Sequence, residues 1–362
     1  MFTFSLNGGE ITVYRDINLL EYLREEAGLT SVKNGCGEGA CGACMVLVDG
    51  EARRACLLTA AKLAGKRVLT IEGLSEREKE IYARAFAEAG AVQCGFCTPG
   101  MVISAKGLLD KDPRPSPAEI KKALRGNVCR CTGYVKIIKA VGLAACALRG
   151  DKLASTVSGS GIGARLPRLD VREKVLGYGV YVDDMKIPGI LYGAVLRAQY
   201  PRALVKDIDI SRAKALPGVV AVLTANDIPG KRYLGHIVPD WPALVTVGEE
   251  TRYVGDALAL VAAESRELAR DALAHIRVEY EERIPLISPD AALAEGAPNI
   301  HPGGNILSRT VLKRGDADRA IADAAYVVTQ AYSTPPTEHA FLEPESAFAL
   351  QDGVGGMVGD SG

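Results

Sequence analysis

An α+β chain built of several domains is what this sequence predicts, and three features of its patterning carry that reading. "CMVLVDG" (Cys44–Gly50) runs aliphatic and β-branched into an Asp-Gly turn, the mark of a strand entering a hairpin. Residues 98–149 then carry helix signals. Pro99 stands at a first-turn position ahead of "GMVISAKGLLD", and Ser116, Pro117 and Glu119 supply an N-cap, a first-position proline and a capping box before the stop at Gly126. Further on, short β-branched runs alternate with turn signals around one helical stretch at Ser211 to Leu216 and another starting near Ser265. "YVGDALALVAAESRELARDALAHIRVEYEER" accordingly reads strand, helix, strand. Between these regions "DKLASTVSGSGIGARLPR" is Ser/Gly-rich without period, an exposed tether rather than a phosphate loop. The linker so defined spans 151–164.

The chain's 362 residues, 48% hydrophobic and 24% charged, allow a sizeable core. Forty-three basic residues against forty-four acidic ones leave a net charge of -1, so no global field steers the protein to nucleic acid or an anionic membrane. The opening "MFTFSLNGGEITVYRD" has neither a basic n-region nor an apolar h-region, and no stretch reaches membrane-spanning length. A cytoplasmic protein is expected.

Eight of the nine cysteines fall before residue 132, in tight groups: Cys36, Cys41, Cys44 and Cys56, then Cys94 and Cys97, then Cys129 and Cys131. Clustered thiols in a cytoplasmic chain favour metal over disulfides. Cys146 stands alone in a helical run and reads as an inert buried thiol. The first group lies in "NGCGEGACGACMVLVDG", which also contains a G-x-G-x-x-G at Gly37, Gly39 and Gly42. A dinucleotide loop needs a helix after it, and here a strand follows, which excludes that use. Cys36-x4-Cys41-x2-Cys44 with a distal Cys56 is instead the plant-type ferredoxin spacing for a 2Fe-2S cluster. Gly35, Gly37, Gly39 and Gly42 let the backbone curl close to such a cluster, and Ala40 and Ala43 suit the crowding. The second group, Cys94-x2-Cys97 with Cys129-x-Cys131, is compatible with zinc or with a second cluster. Its cysteines fall where helices begin, a setting that lowers thiolate pKa.

"GCGEGACGAC", "QCGFCTPGM" and "RGNVCRCTGY" together resemble the iron-sulfur portion of the molybdenum hydroxylases, the xanthine dehydrogenase and aldehyde oxidoreductase family. The resemblance implies a β-grasp 2Fe-2S ferredoxin-like domain over 1–75 and a helical-bundle 2Fe-2S domain over 76–150. It further implies an α/β-hammerhead domain over 165–285 and the start of a molybdenum-binding domain over 286–362. "PRLDVREKVLGYGVYVDD", "HIVPDWPALVTVGEETRYVGDALALVAAES" and "GDADRAIADAAYVVTQAYSTPPTEHAFLEPESA" resemble the selenium-dependent xanthine dehydrogenase branch in particular. Gln93 and Cys131 would lie against the molybdopterin. Electrons would pass from molybdenum through the pterin to the Cys94/Cys97/Cys129/Cys131 cluster and on to the Cys36/Cys41/Cys44/Cys56 cluster.

Two departures from the family pattern shape the expected function. No flavin domain separates the iron-sulfur and hammerhead portions, so electrons would leave to a separate flavin subunit or another acceptor. The main molybdenum-binding domains and the general-base glutamate would lie beyond Gly362, so no catalytic residue is expected here. Molybdenum is expected only with that C-terminal portion or a companion chain. The substrate would be a purine, another N-heterocycle or an aldehyde, and a homodimer is possible within the family. The alternative is a non-catalytic electron-transfer subunit or truncated remnant. "PTEHAFLEP" (Pro336–Pro344) is the last family motif, of which Thr337–Glu343 would approach the active site, and "ALQDGVGGMVGDSG" after it reads as a glycine-rich tail rather than a strand. His236, His275, His301 and His339 are scattered and make no metal site. His339 beside Glu338 reads as a cap or core polar contact, and Lys121, Lys122, Arg125 and Arg130 as a solvated helix face.

Overall fold

A computed structural model describes residues 1–153, 158–236, 238–351 and 357–361; part of the expected tether, 154–157, lies outside them. By its contacts the chain divides into one unit of Met1–Met185 with Ser333–Gly362 and a second of Lys186–Tyr332.

The first unit begins with a five-stranded sheet of β1 (Phe2–Leu6), β2 (Gly9–Val13), β3 (Met45–Val48), β4 (Glu51–Arg54) and β5 (Arg67–Leu69), ordered β2-β1-β5-β3-β4. Only β1 and β5 are parallel neighbours. Both hairpins close on two residues of positive φ, Asn7 and Gly8 in the first and Asp49 and Gly50 in the second, the turn geometry that matches strand twist. Leu19–Glu21 (α1), capped by Asn18, continues into a wide turn at Tyr22–Glu26 and buries Leu19, Leu20 and Leu23 against Phe4, Val46 and Val68.

Strand β3 is buried along its whole length, which its continuous Met-Val-Leu-Val run anticipates. Val46 and Val48 face the sheet's core, while Met45 and Leu47 face the helices that follow. Those helices are α2 (Glu76–Ala89), α3 (Thr98–Leu109), α4 (Pro117–Ala123) and α5 (Val135–Leu148). The capping box at Ser116 and Glu119 forms as expected, and Ser75 with Glu78 makes another. The core between α2 and α5 holds Tyr82, Phe86, Ile137 and Val141, each almost completely buried.

Residues 165–185, grouped with the third domain on sequence, pack within this first unit. There α6 (Val171–Leu176) buries Val175 and Leu176 in the core of the helical domain. The glycine-rich tail also departs from expectation. Ala347–Gln351 pairs antiparallel with Met357–Ser361, because Phe348 and Leu350 alternate with smaller or polar residues well enough to define a strand.

The second unit has the strand-helix-strand order expected from sequence. Its three-stranded sheet places Ala257–Ala263 between Tyr192–Arg197 and Val219–Thr224, and Arg277–Glu282 pairs with Ala203–Asp209. The helices Ser211–Lys214 and Arg266–Leu273, the latter capped by Ser265, cover a core of Ala213, Val222, Val261, Ala272 and Ile276. Among the described residues no helix is long and apolar enough to cross a membrane.

Truncating Phe86, which is 0% exposed, removes a ring from the α2/α5 interface. Phe86→Ala should cost about 3–5 kcal/mol of stability, read as a lowered denaturation midpoint of the first unit.

Candidate metal centres

The first cysteine set is gathered by the loop before β3. Gly37, Gly39 and Gly42 have φ of 68°, 82° and 74°, the left-handed curl expected of them, whereas Gly35 does not. Gly35 is needed for space instead, since a Cβ there would stand 3.0 Å from Cys41 Sγ. The amides of Ala40 and Cys41 donate to Cys36 Sγ at 3.3 and 3.4 Å. Ala43 is buried and fits the crowding, while Ala40 is exposed. Burial opposes ionisation of Cys36, yet the amides of Cys41, Glu38 and Ala40 outweigh it and bring the thiol down to about 7. Burial pushes Cys41 up and lifts Cys44 to about 12. Electrostatically the thiols couple Cys36 with Cys41 and Cys44 with Cys56.

The second set sorts likewise. Cys94 Sγ and Cys131 Sγ are 3.8 Å apart, and Cys97 pairs with Cys129. Cys97 caps α3, and Cys129 and Cys131 precede α5, whose cap is Tyr134 at φ 68°. The helix-terminus argument is only partly met. Cys129 falls to about 5 through its hydrogen bond with Cys97, aided by Thr132 Oγ1 at 3.1 Å. Cys97 is raised by that same bond and by burial, and burial lifts Cys94 to about 11. At Cys97 the hydrogen bond with Cys129 leads and burial adds to it, and at Cys94 burial leads.

Pairing discriminates between possible occupants. Two thiolates on one tetrahedral metal with bonds of about 2.3 Å stand about 3.8 Å apart, which is the Cys94 to Cys131 separation. Among the described residues no three His, Cys, Asp or Glu side chains gather around a single ion position. Four thiols arranged two and two suit a two-iron cluster better than one zinc ion.

The two sets meet at the backbone. Val128 N donates to Cys41 O at 2.8 Å, and the buried Asn127 side chain donates to Gly42 O at 3.0 Å while its own oxygen accepts from Ser104. A Cβ on Gly42 would lie 2.0 Å from Gly126 O. Cys36, Cys41, Ala43, Cys94, Phe96, Tyr181 and Leu342 form one apolar cluster between the sets.

Gln93, expected beside the pterin, has an exposed side chain, and its carbonyl accepts from Arg168. Cys131 is half-buried. Arg130 is no idle surface cation: Nε donates to His339 O at 2.6 Å and Nη2 to Glu338 O at 3.0 Å. The His339 and Glu338 side chains are 91% and 85% exposed, so they form neither a cap nor a core contact. Sequence reasoning missed Lys33, Arg168, Lys174, Tyr181 and Asp184. Lys174 Nζ and Tyr181 Oη donate to Cys94 O at 2.7 and 2.8 Å, and Asp184 pairs with Arg24 and with the wholly buried Lys33.

Comparison with known proteins agrees with this arrangement. Residues 4–70 match the 2Fe-2S iron-sulfur cluster binding domain, 70–142 the [2Fe-2S] binding domain, and 176–284 the a/b hammerhead domain of aldehyde oxidase and xanthine dehydrogenase. The aldehyde oxidoreductase of Megalodesulfovibrio gigas is 35% identical over 369 residues, covering 95% of this chain and 41% of that protein. The nicotinate dehydrogenase small FeS subunit of Eubacterium barkeri is 49% identical over 140 residues, 38% of this chain and 89% of that subunit. A crystal structure of the aldehyde oxidoreductase from Desulfovibrio gigas superposes with a TM-score of 0.87 at 33% identity, over 99% of this chain and 42% of that one.

The family matches thus define a chain with two 2Fe-2S binding domains followed by a hammerhead domain. The chain belongs to the molybdenum hydroxylase family, of the aldehyde oxidoreductase and xanthine dehydrogenase type. It spans about two fifths of the length of the aldehyde oxidoreductases it matches.

Two outcomes follow from the geometry. Gly42→Ala forces a side chain into Gly126 O at a left-handed position, and should cost about 3 kcal/mol or more, seen as a lower melting temperature with loss of bound iron. In the iron-free chain near neutral pH, iodoacetamide should modify Cys36, lowered to about 7, well before Cys44, raised to about 12, as mapped by mass spectrometry of the labelled peptides.

Proposed function

We propose that the chain is the electron-conducting part of a molybdenum hydroxylase. Cys36, Cys41, Cys44 and Cys56 hold one 2Fe-2S cluster, and Cys94, Cys97, Cys129 and Cys131 hold the other. The observation that carries this reading is the gathering of eight cysteines into two four-thiol sets, with Cys94 and Cys131 3.8 Å apart in one, and the sets joined by the backbone bond from Val128 to Cys41. Each set offers four thiols, two of them buried, where iron offsets the charge that burial penalises.

The direction of flow is from the second cluster to the first. Gln93 and Cys131 face the molybdopterin, a reading supported by the exposed Gln93 side chain, and the segment 34–40, largely exposed, gives the first cluster its way out. When bound, the molybdenum cofactor supplies the two-electron oxidation that inserts a water-derived oxygen at an electrophilic carbon. The thiolates of this chain hold carriers that accept electrons singly. The domains that complete the molybdenum site come from a continuation of the chain or from a companion chain, and the acceptor is a flavin subunit or another carrier. The substrate is an aldehyde or an N-heterocycle such as a purine. The similarity to a separate small FeS subunit favours a second reading, in which this chain contributes conduction to an assembly without catalysing by itself.

Metal analysis of the anaerobically purified chain decides the cluster assignment. About four irons per chain and two distinct reduced 2Fe-2S EPR signals are expected; a colourless zinc protein would overturn it. Cys41→Ser should remove one signal and keep the other, and Cys131→Ser the reverse, which attributes each signal to its cysteines.

A further inference from the structure

The backbone of the Gln93–Cys94 turn is held by residues from far along the chain. Arg168 donates to the Gln93 carbonyl, and both Lys174 Nζ and Tyr181 Oη donate to the next carbonyl, that of Cys94, at 2.7 and 2.8 Å. Gly95 records how closely this strap lies. With φ at 87°, a Cβ on it would come within 2.7 Å of Lys174 and 2.9 Å of Tyr181 Oη. The Tyr181 ring is itself fixed on three sides. It meets Phe96 edge-on at 5.2 Å, and the ammonium groups of Lys33 and Lys174 stand 4.7 and 5.0 Å from its centroid. Lys33, fully buried, is kept in place by Asp184, three residues beyond Tyr181, and Asp184 also receives Arg24 Nη2 at 2.9 Å.

A packing role alone does not account for these groups. A buried lysine is costly unless paired, and an apolar side chain would fill the space at less cost. What the arrangement delivers is oriented donors on the ligand side of one cysteine set, two of them cations that also pair with Asp170. Reducing a 2Fe-2S cluster adds one negative charge, and hydrogen bonding and nearby charge are what set the potential at which that happens.

We infer that the strap Arg168–Asp184 tunes the second cluster: Tyr181, clamped between Lys33 and Lys174, is a positioning residue that raises the reduction potential of the cluster held by Cys94, Cys97, Cys129 and Cys131. It biases electrons toward that cluster as they arrive, and it acts through the Cys94 carbonyl rather than by touching the iron. The inference rests on the cluster assignment above and adds to it a role for residues outside the two iron-sulfur domains.

EPR-monitored redox titration of the full chain tests it, with iron content measured on every sample. Tyr181→Phe keeps the ring and removes the hydroxyl. It should retain the iron of the parent chain, make reduction of the Cys94 cluster about tenfold less favourable, equivalent to about 59 mV for a one-electron couple, and leave the other cluster's potential in place. Lys33→Met should lower the same potential, and Lys33→Arg should restore it. Iron-replete Tyr181→Phe and Lys33→Met chains with parental potentials would overturn the inference. Should Tyr181→Phe lose iron, Lys174→Met decides in the same way: a lowered potential supports the tuning role and an unchanged one refutes it. A parent chain without two 2Fe-2S signals would instead bring down the cluster assignment, so the two failures are told apart.

Discussion

The contact between Gly42 and Gly126 is the constraint on which the first unit depends. A side chain at position 42 would need to occupy the space of the Gly126 carbonyl, 2.0 Å away, and one at Gly100 would stand 2.5 Å from Gly42 O. Three glycines therefore let a loop of the sheet domain, the start of a helix and the approach to the second cysteine pair come together at backbone distance. Once they do, Val128 reaches Cys41 O and Asn127 reaches Gly42 O, so the sets are locked by bonds that no surface side chain could supply. The double burial of β3 follows from the same closeness. Its odd residues must serve the helices while its even ones serve the sheet.

Charge is arranged around this junction with a consistent sign. Buried thiols such as Cys44 and Cys94 are pushed toward their neutral form by desolvation, so holding them as thiolates requires compensating positive charge. Iron supplies most of it, and the protein adds cationic or amide donors at the ligand loops. Arg54, two residues before Cys56, donates to Gly126 O at 3.2 Å, Arg130 stands between Cys129 and Cys131, and Lys174 reaches the Cys94 carbonyl. Each cation is anchored to a backbone carbonyl. Such anchoring fixes the position of each charge, and Lys174 also has the Asp170 carboxylate 3.8 Å away.

Much of the site was legible because its information is local. Eight cysteines carry their spacing in three short stretches, the glycines between them report a tight loop, and Ser116 with Glu119 announces a helix start that the structure reproduces. What was not legible is long-range. Lys33 and Asp184 are 151 residues apart, and in the sequence Lys33 is an unremarkable lysine before the cysteine loop. Gly95 reads as a spacer in a C-x2-C until Lys174 and Tyr181 are seen to fill the space where a side chain would go. The packing of α6 in the helical core was hidden for the same reason, because its apolar residues report that Val175 and Leu176 are buried but not against what. Cys97 is raised rather than lowered, since sequence gives its position on a helix but neither its hydrogen bond with Cys129 nor its degree of burial.

The strap also bears on how the iron-sulfur portion can be divided from the rest of the chain. Without residues 165–185, the Gln93 and Cys94 carbonyls would lose three donors, and Lys33 would lose its carboxylate in a pocket open on the face that Tyr181 now covers. Water can satisfy the carbonyls at little cost. It cannot replace the Tyr181 ring and the Lys174 ammonium, which leave with the segment, and the remaining Lys33 side chain then gains rotamer freedom and a path to solvent. The fold of the two iron-sulfur domains rests largely on their own cores, whereas the electrostatic setting of the second cysteine set depends on a segment that follows the linker. The same segment also serves the helical core, through the buried Val175 and Leu176.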